Sequence, residues 1–352
     1  MNDAMTAAAA GGLGARNAPL RILIVSDAWF PQVNGVVRTL SIVAEKLRAD
    51  GDTVEVIGPD RFRSVPMPGY AEIRLAIAPR RRLAQLVTAF GPDVVHIATE
   101  GPLGWAMRAI CRRRGWSFTT AFHTRFAEYM HARMRVPVSW SWAVLRRFHE
   151  AGEGTFAATE SLREDLAARG FTKLRAWTRG VDLARFRPEP RESWEGLKRP
   201  IFLYAGRLAV EKNVDAFLAL DLPGTKVVVG DGPARAGLQA RFPAAHFTGY
   251  RDNGLLARSY AGADVFVFPS RTDTFGLVLL EALAAGTPVA AFPVTGPRDL
   301  ITDPRIGALD EDLRQACLRA LDGDRAACRA RAESWSWDAC AAQFRTGLVP
   351  LE

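Results

Sequence analysis

Short apolar runs alternate along the first half of the chain with longer segments of helical periodicity. Residues 21–26, 53–58, 94–97 and 118–121 are dominated by Ile, Leu, Val, Phe and Ala. Runs of this length are typical of strands that are buried on both faces of a parallel sheet. The segment from Val36 to Arg48 has a helical pattern, and similar patterns separate the other strands. The alternation predicts a doubly wound parallel sheet.

The pattern pauses at Val181–Pro190, where Arg, Pro and Glu predominate as they do in linkers, and then restarts. The second set of predicted strands covers residues 201–204, 227–229, 265–268 and 289–292. Ser334–Phe344 has the pattern of an amphipathic helix with aromatic anchors.

We therefore predict an α/β chain of two Rossmann-like domains, at residues 20–185 and 186–333. Residues 1–19 are expected to be a disordered tail, and residues 334–352 a C-terminal helix that packs back toward the N-terminal domain. Two such domains in tandem predict a cleft at the carboxyl ends of their strands, where open α/β sheets bind ligands.

Composition narrows the setting of the protein. No run of 18 apolar residues is present, and the first twenty residues lack the apolar core of a signal peptide. The four cysteines form no C-x-x-C pair, which favours reduced thiols. These features predict a cytoplasmic protein.

The positive charge of the chain is uneven. Residues 1–190 hold 27 Lys and Arg against 18 Asp and Glu, whereas the remainder holds 19 against 20. The excess predicts attraction of the first domain to an anionic membrane surface; solvated helix faces are the alternative interpretation. Nucleic acid is not an expected partner, because the arginines are not interleaved with stacking aromatic residues.

Two acidic residues stand eight positions apart in the apolar, glycine-punctuated stretch 269–288. We expect a helix over residues 274–286, with Asp273 as its N-cap. The N–H groups of Thr274–Leu277 would then suit an anion such as a phosphate. Glu281, among leucines, must be hydrogen-bonded or face a polar ligand. A capped core helix with one solvated Glu is the alternative.

Further candidates follow predicted strands. Arg207 and Lys212 lie after the strand at 201–204, where two cations could contact one diphosphate. Gly35, next to Asn34, would allow close approach of a phosphate to the backbone. His123 follows the strand at 118–121. Each could instead be a solvated or structural residue.

Two other patterns are interpreted as turns. The run Gly230-Asp-Gly232 lacks the third glycine of the dinucleotide-binding fingerprint, since Arg235 stands there. Asp322-Gly-Asp324 has no apolar strand before it, which favours a surface turn over a metal site.

Taken together, the motifs resemble retaining glycosyltransferase family 4, whose members have the GT-B fold. The resemblance extends from about Arg21 to Phe344 and narrows to the branch of GDP-mannose-dependent α-mannosyltransferases and sulfoquinovosyl-diacylglycerol synthases. The motifs that carry it are Gly206-Arg207 with Glu211-Lys212, Asp273 with Glu281, Glu281-Ala-x-Ala-x-Gly-x-Pro, His123-Thr-x-Phe-x-x-Tyr129, Glu100-Gly-Pro-Leu-Gly104 and Arg179-Gly-Val-Asp182.

The resemblance implies a donor-binding role for most of the candidates. Arg207 and Lys212 would bind the donor diphosphate, Glu281 the ribose, and Asp273 the sugar hydroxyls. His123 would contact the sugar near the reacting carbon. The remaining implied donor contacts are Gly35, Thr274, Phe275, Gly276 and Leu277, with Gly249 and Tyr250 near the base.

Acceptor contacts are implied for Asn34, Glu100 and Tyr129. Two positions depart from the family pattern. Asp273 stands where most members have Glu, and Asn34 stands where many have a second glycine.

The resemblance implies transfer of a hexose from GDP-mannose or a UDP-sugar to a hydroxyl of a lipid or glycan, with retention and without a metal or other cofactor. Peripheral association with the inner face of the cytoplasmic membrane is also implied. A nucleotide-sugar 2-epimerase and a non-catalytic nucleotide-sugar-binding module are the alternatives.

Overall fold

Each half of the chain builds its own parallel sheet. The computed structural model describes residues 18–32, 34–67, 70–77, 79–123, 137–190 and 194–351. Contacts divide the chain into two units. The first comprises the described residues of Met1–Ala158, Arg163–Thr178 and Asp338–Glu352, and the second comprises Thr159–Leu162 and Arg179–Trp337.

The first unit contains a six-stranded parallel sheet in the order β2-β1-β5-β6-β7-β8, together with a separate antiparallel hairpin of β3 and β4. Its strands are β1 (Arg21–Val25), β2 (Thr53–Ile57), β3 (Ser64–Met67), β4 (Tyr70–Ala76), β5 (Val94–Ile97), β6 (Thr119–Ala121), β7 (Gly154–Ala157) and β8 (Leu174–Ala176). Its helices are α1 (Gly35–Ala49), α2 (Arg80–Phe90), α3 (Pro102–Arg114) and α4 (Val138–His149), and α5 (Glu160–Ala168) begins in the second unit.

The second unit contains a six-stranded parallel sheet in the order β11-β10-β9-β12-β13-β14. Its strands are β9 (Ile201–Ala205), β10 (Thr225–Val229), β11 (His246–Gly249), β12 (Val265–Phe268), β13 (Val289–Ala291) and β14 (Gly307–Leu309). Its helices are α6 (Val214–Leu218), α7 (Arg235–Arg241), α8 (Asn253–Gly262), α9 (Leu277–Ala284), α10 (Pro297–Leu300), α11 (Leu313–Ala320) and α12 (Arg325–Glu333). A last helix, α13 (Trp337–Gly347), lies almost entirely in the first unit.

The two parallel sheets confirm the α/β prediction, and the central strands fall where the apolar runs placed them. Ile22–Val25 of β1 and Val265–Phe268 of β12 are buried along their length. The hairpin strands β3 and β4 were not predicted, and neither were four strands of the parallel sheets: β7, β8, β11 and β14. These four parallel strands are three or four residues long and carry Gly, Thr, Arg or His, so their sequences lack a long apolar run.

Helix α13 packs into the core of the first unit through one face. The Phe344 ring is fully buried and lies 4.8 Å from the His96 ring and 4.9 Å from the Trp177 ring. The indole Nε1 of Trp177 donates to the Cys340 carbonyl oxygen at 3.2 Å. Arg345 binds the Asp52 carboxylate at 2.7 and 3.0 Å. These contacts make the end of the chain a structural part of the first unit.

The helix begins at Trp337 rather than at the predicted Ser334, because Ser334 is the C-cap of α12. All four cysteines are buried. In the described part of the chain, no helix combines the length and the apolar character that crossing a bilayer requires.

Replacement of Phe344 by Ala should destabilise the first unit by about 3–5 kcal/mol, because it leaves a cavity among buried rings. Urea unfolding measures the loss. Thr346→Ala, on the exposed face of the same helix, is the matched control and should change stability by less than about 0.5 kcal/mol. Equal effects of the two substitutions would contradict the core role of Phe344.

Candidate functional site

The strand order of the second sheet creates a switch point between β9 and β12, since the chain leaves β9 for β10 on one side and returns to β12 on the other. Ligands of open α/β sheets bind outside the carboxyl ends of the strands at such a point. The chain continues from the carboxyl end of β9 into residues 206–213, termed the β9 loop. It continues from the carboxyl end of β12 into residues 269–276, termed the β12 loop. The two loops carry Arg207, Lys212 and Asp273.

An ion pair joins the two loops. The Lys212 Nζ atom lies 2.6 Å from Oδ1 and 2.9 Å from Oδ2 of Asp273. The two side chains are 28% and 24% exposed, so the pair is in contact with solvent and contributes on the order of 1 kcal/mol to stability. An ammonium has three donors and a carboxylate about four acceptor positions. The pair therefore retains capacity to bind a polar ligand.

The loops are tied together at a second place. Asn213 adopts the left-handed conformation with φ of 53°, and its Nδ2 donates to the Pro269 carbonyl oxygen at 3.0 Å. Asn tolerates this conformation better than most residues do. Asn213 therefore fixes the end of the β9 loop beside the start of the β12 loop, which holds Lys212 within reach of Asp273.

Tyr204, in β9, stabilises the β9 loop through a hydrogen bond that the sequence analysis did not predict. Its buried hydroxyl donates to the Arg207 carbonyl oxygen at 2.8 Å. Burial, and then the negative charges of Asp273 and Glu211, raise the pKa of the Tyr204 hydroxyl well above its usual value. The hydroxyl therefore stays protonated and keeps donating to the loop that carries Arg207.

Gly230 and Gly232 allow the β9 loop to pack against the turn after β10. A Cβ on Gly230 would lie 1.9 Å from the Gly206 carbonyl oxygen, and one on Gly232 would lie 2.4 Å from that of Leu208. The Leu208 N–H donates to the Asp231 carbonyl oxygen at 2.9 Å. The run Gly230-Asp-Gly232 lacks the third glycine of the dinucleotide-binding fingerprint. Its two glycines instead allow this turn to pack closely against the β9 loop, which carries Arg207.

The predicted start of the helix in the β12 stretch is wrong. Helix α9 begins at Leu277, with Gly276 as its N-cap at φ of 83°, and it ends at Ala284 rather than at Gly286. Thr274, Phe275 and Gly276 precede the helix, so their N–H groups do not belong to its first turn. Asp273 is not the N-cap; its carboxylate pairs with Lys212 instead.

Phe275 anchors the β12 loop. Its ring is buried and lies 5.5 Å from that of Trp335 in an edge-on arrangement. A Cβ on Gly296 would lie 2.6 Å from the Phe275 carbonyl oxygen, so the neighbouring turn also packs tightly there. The left-handed backbone of Gly276, at φ of 83°, separates this loop from α9, so the helix does not extend back to Asp273.

Glu281 is 2% exposed and lies in the middle of α9, where its Oε2 accepts a hydrogen bond from the Tyr260 hydroxyl at 3.0 Å. This bond joins α8 to α9. The expectation that an acid among leucines must be hydrogen-bonded is confirmed.

Of the expected base contacts, Gly249 is the last residue of β11 and Tyr250 follows it. The Gly249 carbonyl oxygen accepts from the Gly230 N–H at 2.8 Å, which links β11 to the glycine pair. The Tyr250 side chain is 74% exposed and is therefore available to a ligand.

In the first unit, Asn34 caps α1. Its Oδ1 accepts from the N–H groups of Val36 and Val37, both at 3.0 Å, and Gly35 is the first residue of the helix. Asn34 stands where many family members have a second glycine, and its side chain accepts hydrogen bonds from two N–H groups at the start of α1.

Asp27 stands at the switch point of the first sheet, between β1 and β5, and the sequence analysis missed it. Its buried carboxylate accepts from the N–H groups of Leu103 and Gly104 at 2.9 and 3.2 Å and from the Thr99 hydroxyl at 3.0 Å. Burial, with a smaller contribution from the charge of Glu100, raises the pKa of Asp27 to about 6 against these hydrogen bonds. A Cβ on Gly101 would lie 2.4 Å from the carboxyl carbon.

Glu100 and His123 lie near the carboxyl ends of β5 and β6. The Glu100 Oε1 atom is 3.0 Å from Nε2 of His149, the buried last residue of α4. The His123 ring lies 5.5 Å from the Trp177 ring. Tyr129 falls outside the described residues.

The described residues contain no group of three or more His, Cys, Asp or Glu side chains arranged to hold a metal ion. Asp324 of the Asp322-Gly-Asp324 run caps α12 by accepting from the Ala326 N–H at 2.8 Å. This contact fits a turn that leads into a helix.

Known families match both halves of the chain. The model of Glycosyltransferase Family 4 matches residues 33–185, and that of Glycosyl transferases group 1 matches residues 199–322. A GDP-mannose-dependent alpha-mannosyltransferase of Mycobacterium tuberculosis is 37% identical over 318 residues, which cover 82% of this chain and 83% of the relative. The chain belongs to glycosyltransferase family 4. The predicted membership is confirmed, and the protein is a glycosyltransferase.

A second relative is named for a glycolipid product. An alpha-monoglucosyldiacylglycerol synthase of Streptococcus pneumoniae is 28% identical over 86% of this chain and 78% of its own length. Among solved structures, a sucrose-phosphate synthase of Thermosynechococcus elongatus matches with a TM-score of 0.73 at 21% identity, covering 92% of this chain and 97% of that one. With the two parallel sheets, this similarity confirms the predicted GT-B fold.

Because the pKa of Asp27 is raised in the folded chain, we expect the free energy of unfolding to depend on pH through this residue. Because the folded pKa of about 6 exceeds the ordinary 3.8, ionisation opposes folding, and stability is lost as the pH rises through that interval. The advantage of the wild-type chain over Asp27→Asn should fall by about 2 kcal/mol between about pH 4 and pH 7. Urea unfolding at several pH values measures it. A constant difference would contradict the raised pKa.

Proposed function

We propose that this glycosyltransferase moves a hexose from a nucleotide diphosphate sugar, with GDP-mannose as the first candidate, to a hydroxyl group of a membrane lipid or glycolipid. The transfer retains the anomeric configuration and requires no metal. The observation that carries the proposal is the Lys212–Asp273 pair at the switch point of the second sheet, with Arg207 on the same loop.

The donor diphosphate would bind at the β9 loop. Arg207 offers a planar fork of donors and Lys212 a compact cation, and together they suit two phosphate groups. Lys212 is already held in place by Asp273, so little of its side-chain freedom is left to lose on binding. Asp273 would accept hydrogen bonds from the sugar hydroxyls. Glu281, held by Tyr260, would accept them from the ribose.

The reaction breaks the bond between the anomeric carbon and the oxygen of the β-phosphate. A new bond forms between that carbon and the acceptor oxygen on the same face of the sugar. The acceptor proton passes to a β-phosphate oxygen, and the nucleoside diphosphate leaves. Negative charge grows on the β-phosphate, and Arg207 and Lys212 would stabilise that charge without a metal.

The remaining proposed contacts are carried by residues of the first unit. His123 would contact the sugar near the reacting carbon, and the backbone at Gly35 would approach the phosphates. Asn34, Glu100 and Tyr129 would contact the acceptor. Of these three acceptor contacts, Glu100 has the strongest support, since it follows β5 at the switch point of the first sheet.

The names of two relatives favour GDP-mannose as the donor and a lipid as the acceptor. The Mycobacterium tuberculosis relative is named for GDP-mannose, and the Streptococcus pneumoniae relative for a diacylglycerol product. Incubation of the protein with radiolabelled GDP-mannose, UDP-glucose and a membrane extract tests the proposal. Label in the lipid fraction supports it. An isomerised donor would indicate an epimerase, and a bound but unchanged donor would indicate a binding module; either outcome would overturn it.

Arg207→Ala and Lys212→Ala should each lower kcat by about 100- to 1,000-fold, because each removes a donor aimed at the developing phosphate charge. Steady-state kinetics in the presence of EDTA measures the effect, and the wild-type rate should persist there. Lys198→Ala, an exposed lysine of the same unit, is the control. Near-normal rates in both variants would remove the diphosphate assignment.

A basic groove on the first unit supports membrane association. The groove has a volume of about 970 Å³ between α2 and α3. It is lined by Arg80, Arg81, Ala84, Gln85, Thr88, Ala89, Arg113 and Arg114. No acidic residue belongs to this lining. The arginines at the start of α2 also oppose the helix dipole.

The Arg80→Ala, Arg81→Ala, Arg113→Ala triple variant should lose binding to vesicles that contain phosphatidylglycerol, since each arginine near an anionic surface contributes about 1 kcal/mol. Sedimentation at low salt measures the bound fraction. The control is Arg241→Ala, Arg258→Ala, Arg319→Ala, which removes the same charge from the second unit. Equal binding by both triple variants, or no wild-type binding, would refute this docking surface.

A further inference from the structure

Two hydrogen bonds hold His149, the last residue of α4, between two strands of the first sheet. The side chain is fully buried. Its Nε2 lies 3.0 Å from Oε1 of Glu100, after β5, and its Nδ1 lies 2.8 Å from Oγ1 of Thr120 in β6. The Thr120 hydroxyl lies 3.1 Å from that of Thr155 in β7. One imidazole thus joins the loop after β5 to the strand that leads to His123.

The chemistry of the Glu100 carboxylate fixes the direction of its hydrogen bond with His149. An ionised carboxylate can only accept, so Nε2 carries the proton and donates it to Glu100. In the neutral ring, Nδ1 then accepts from the Thr120 hydroxyl, and the Thr120 oxygen accepts from Thr155. Hydrogen bonds thus connect Thr155, Thr120, His149 and Glu100 in series. The Glu100 carboxylate, at the end of this series, is held by His149 and does not rotate freely.

Glu100 is the solvent-facing member of the series. Its side chain is 15% exposed, whereas that of His149 is completely buried. Among the residues that the structure describes, Oε2 of Glu100 has no hydrogen-bond partner, and Oε1 is occupied by His149. A carboxylate that is fixed through one oxygen presents the other in a defined direction. Such an oxygen accepts a hydrogen bond from an alcohol.

We propose that His149 is a positioning residue that orients Glu100 so that Oε2 accepts a hydrogen bond from a hydroxyl group of the acceptor. The inference rests on the proposed function, in which Glu100 contacts the acceptor. The acceptor class that it requires is an alcohol of a lipid or sugar head group. His149 does not touch the substrate; it acts through Glu100.

Two substitutions separate the two hydrogen bonds of His149. The amide of Gln reaches the position of Nε2 and can still donate to Glu100, whereas the shorter amide of Asn reaches only the position of Nδ1. His149→Asn should raise the KM for the acceptor by at least about tenfold with an unchanged KM for GDP-mannose, and His149→Gln should stay within about threefold of the wild type. The acceptor probes are dioleoylglycerol and its monoglucoside in mixed micelles.

His96 provides the control for a purely structural effect. It is equally buried, and its Nδ1 lies 2.9 Å from Oγ1 of Thr119, the neighbour of Thr120. His96→Asn should lower the melting temperature without raising the KM for the acceptor. An equal rise of this KM in His96→Asn and His149→Asn would overturn the inference.

A double-mutant cycle tests whether His149 acts through Glu100. If it does, Glu100→Ala combined with His149→Asn should be no worse in acceptor KM than Glu100→Ala alone. Additive losses would overturn the inference. Absence of wild-type transfer to both probes would contradict the proposed lipid acceptor itself, whereas transfer that is insensitive to His149→Asn would contradict only the positioning role.

Discussion

The ion pair between Lys212 and Asp273 is the interaction on which the candidate donor site depends. The two residues are 61 positions apart in sequence, and the strand order of the second sheet brings their loops together at the switch point. The pair contributes little to stability because both side chains contact solvent. Its consequence is geometric: it places a cation and an anion side by side at the carboxyl ends of β9 and β12, where a ligand that bears phosphates and hydroxyl groups can contact both.

Each of the two sheets has a carboxylate at its switch point, but the surroundings give them different roles. Asp27 is buried against the start of α3, and its lone pairs are occupied by Leu103, Gly104 and Thr99. Asp273 is partly exposed and is paired with a flexible cation. The first carboxylate therefore stabilises a helix terminus, and the second remains able to exchange partners. After β5 of the first sheet, the Glu100 carboxylate is partly exposed and is hydrogen-bonded to His149.

The sequence was sufficient to predict the central strands, the family and the loops that carry Arg207, Lys212 and Asp273, since these depend on apolar runs and on motifs that are local in sequence. Contacts between distant residues could not be predicted in the same way. Asp273 had the pattern of an N-cap because short acids favour that position. The helix starts later because Gly276 adopts the left-handed conformation between Asp273 and the first helical residue. The bond between Glu100 and His149 spans 49 residues, and no local pattern marks either partner for the other.

The most direct measurement is donor binding by a chain in which the ion pair is reversed, with Lys212→Asp and Asp273→Lys together. If the pair were only a link between loops, the reversed pair would restore both thermal stability and ligand affinity. If the pair is the donor site, the melting temperature should recover relative to the single variants, while calorimetry should find GDP and GDP-mannose bound at least about tenfold more weakly than by the wild type, because the cation and the anion have exchanged places against the phosphates and the sugar. Recovery of wild-type affinity for GDP-mannose would contradict the account.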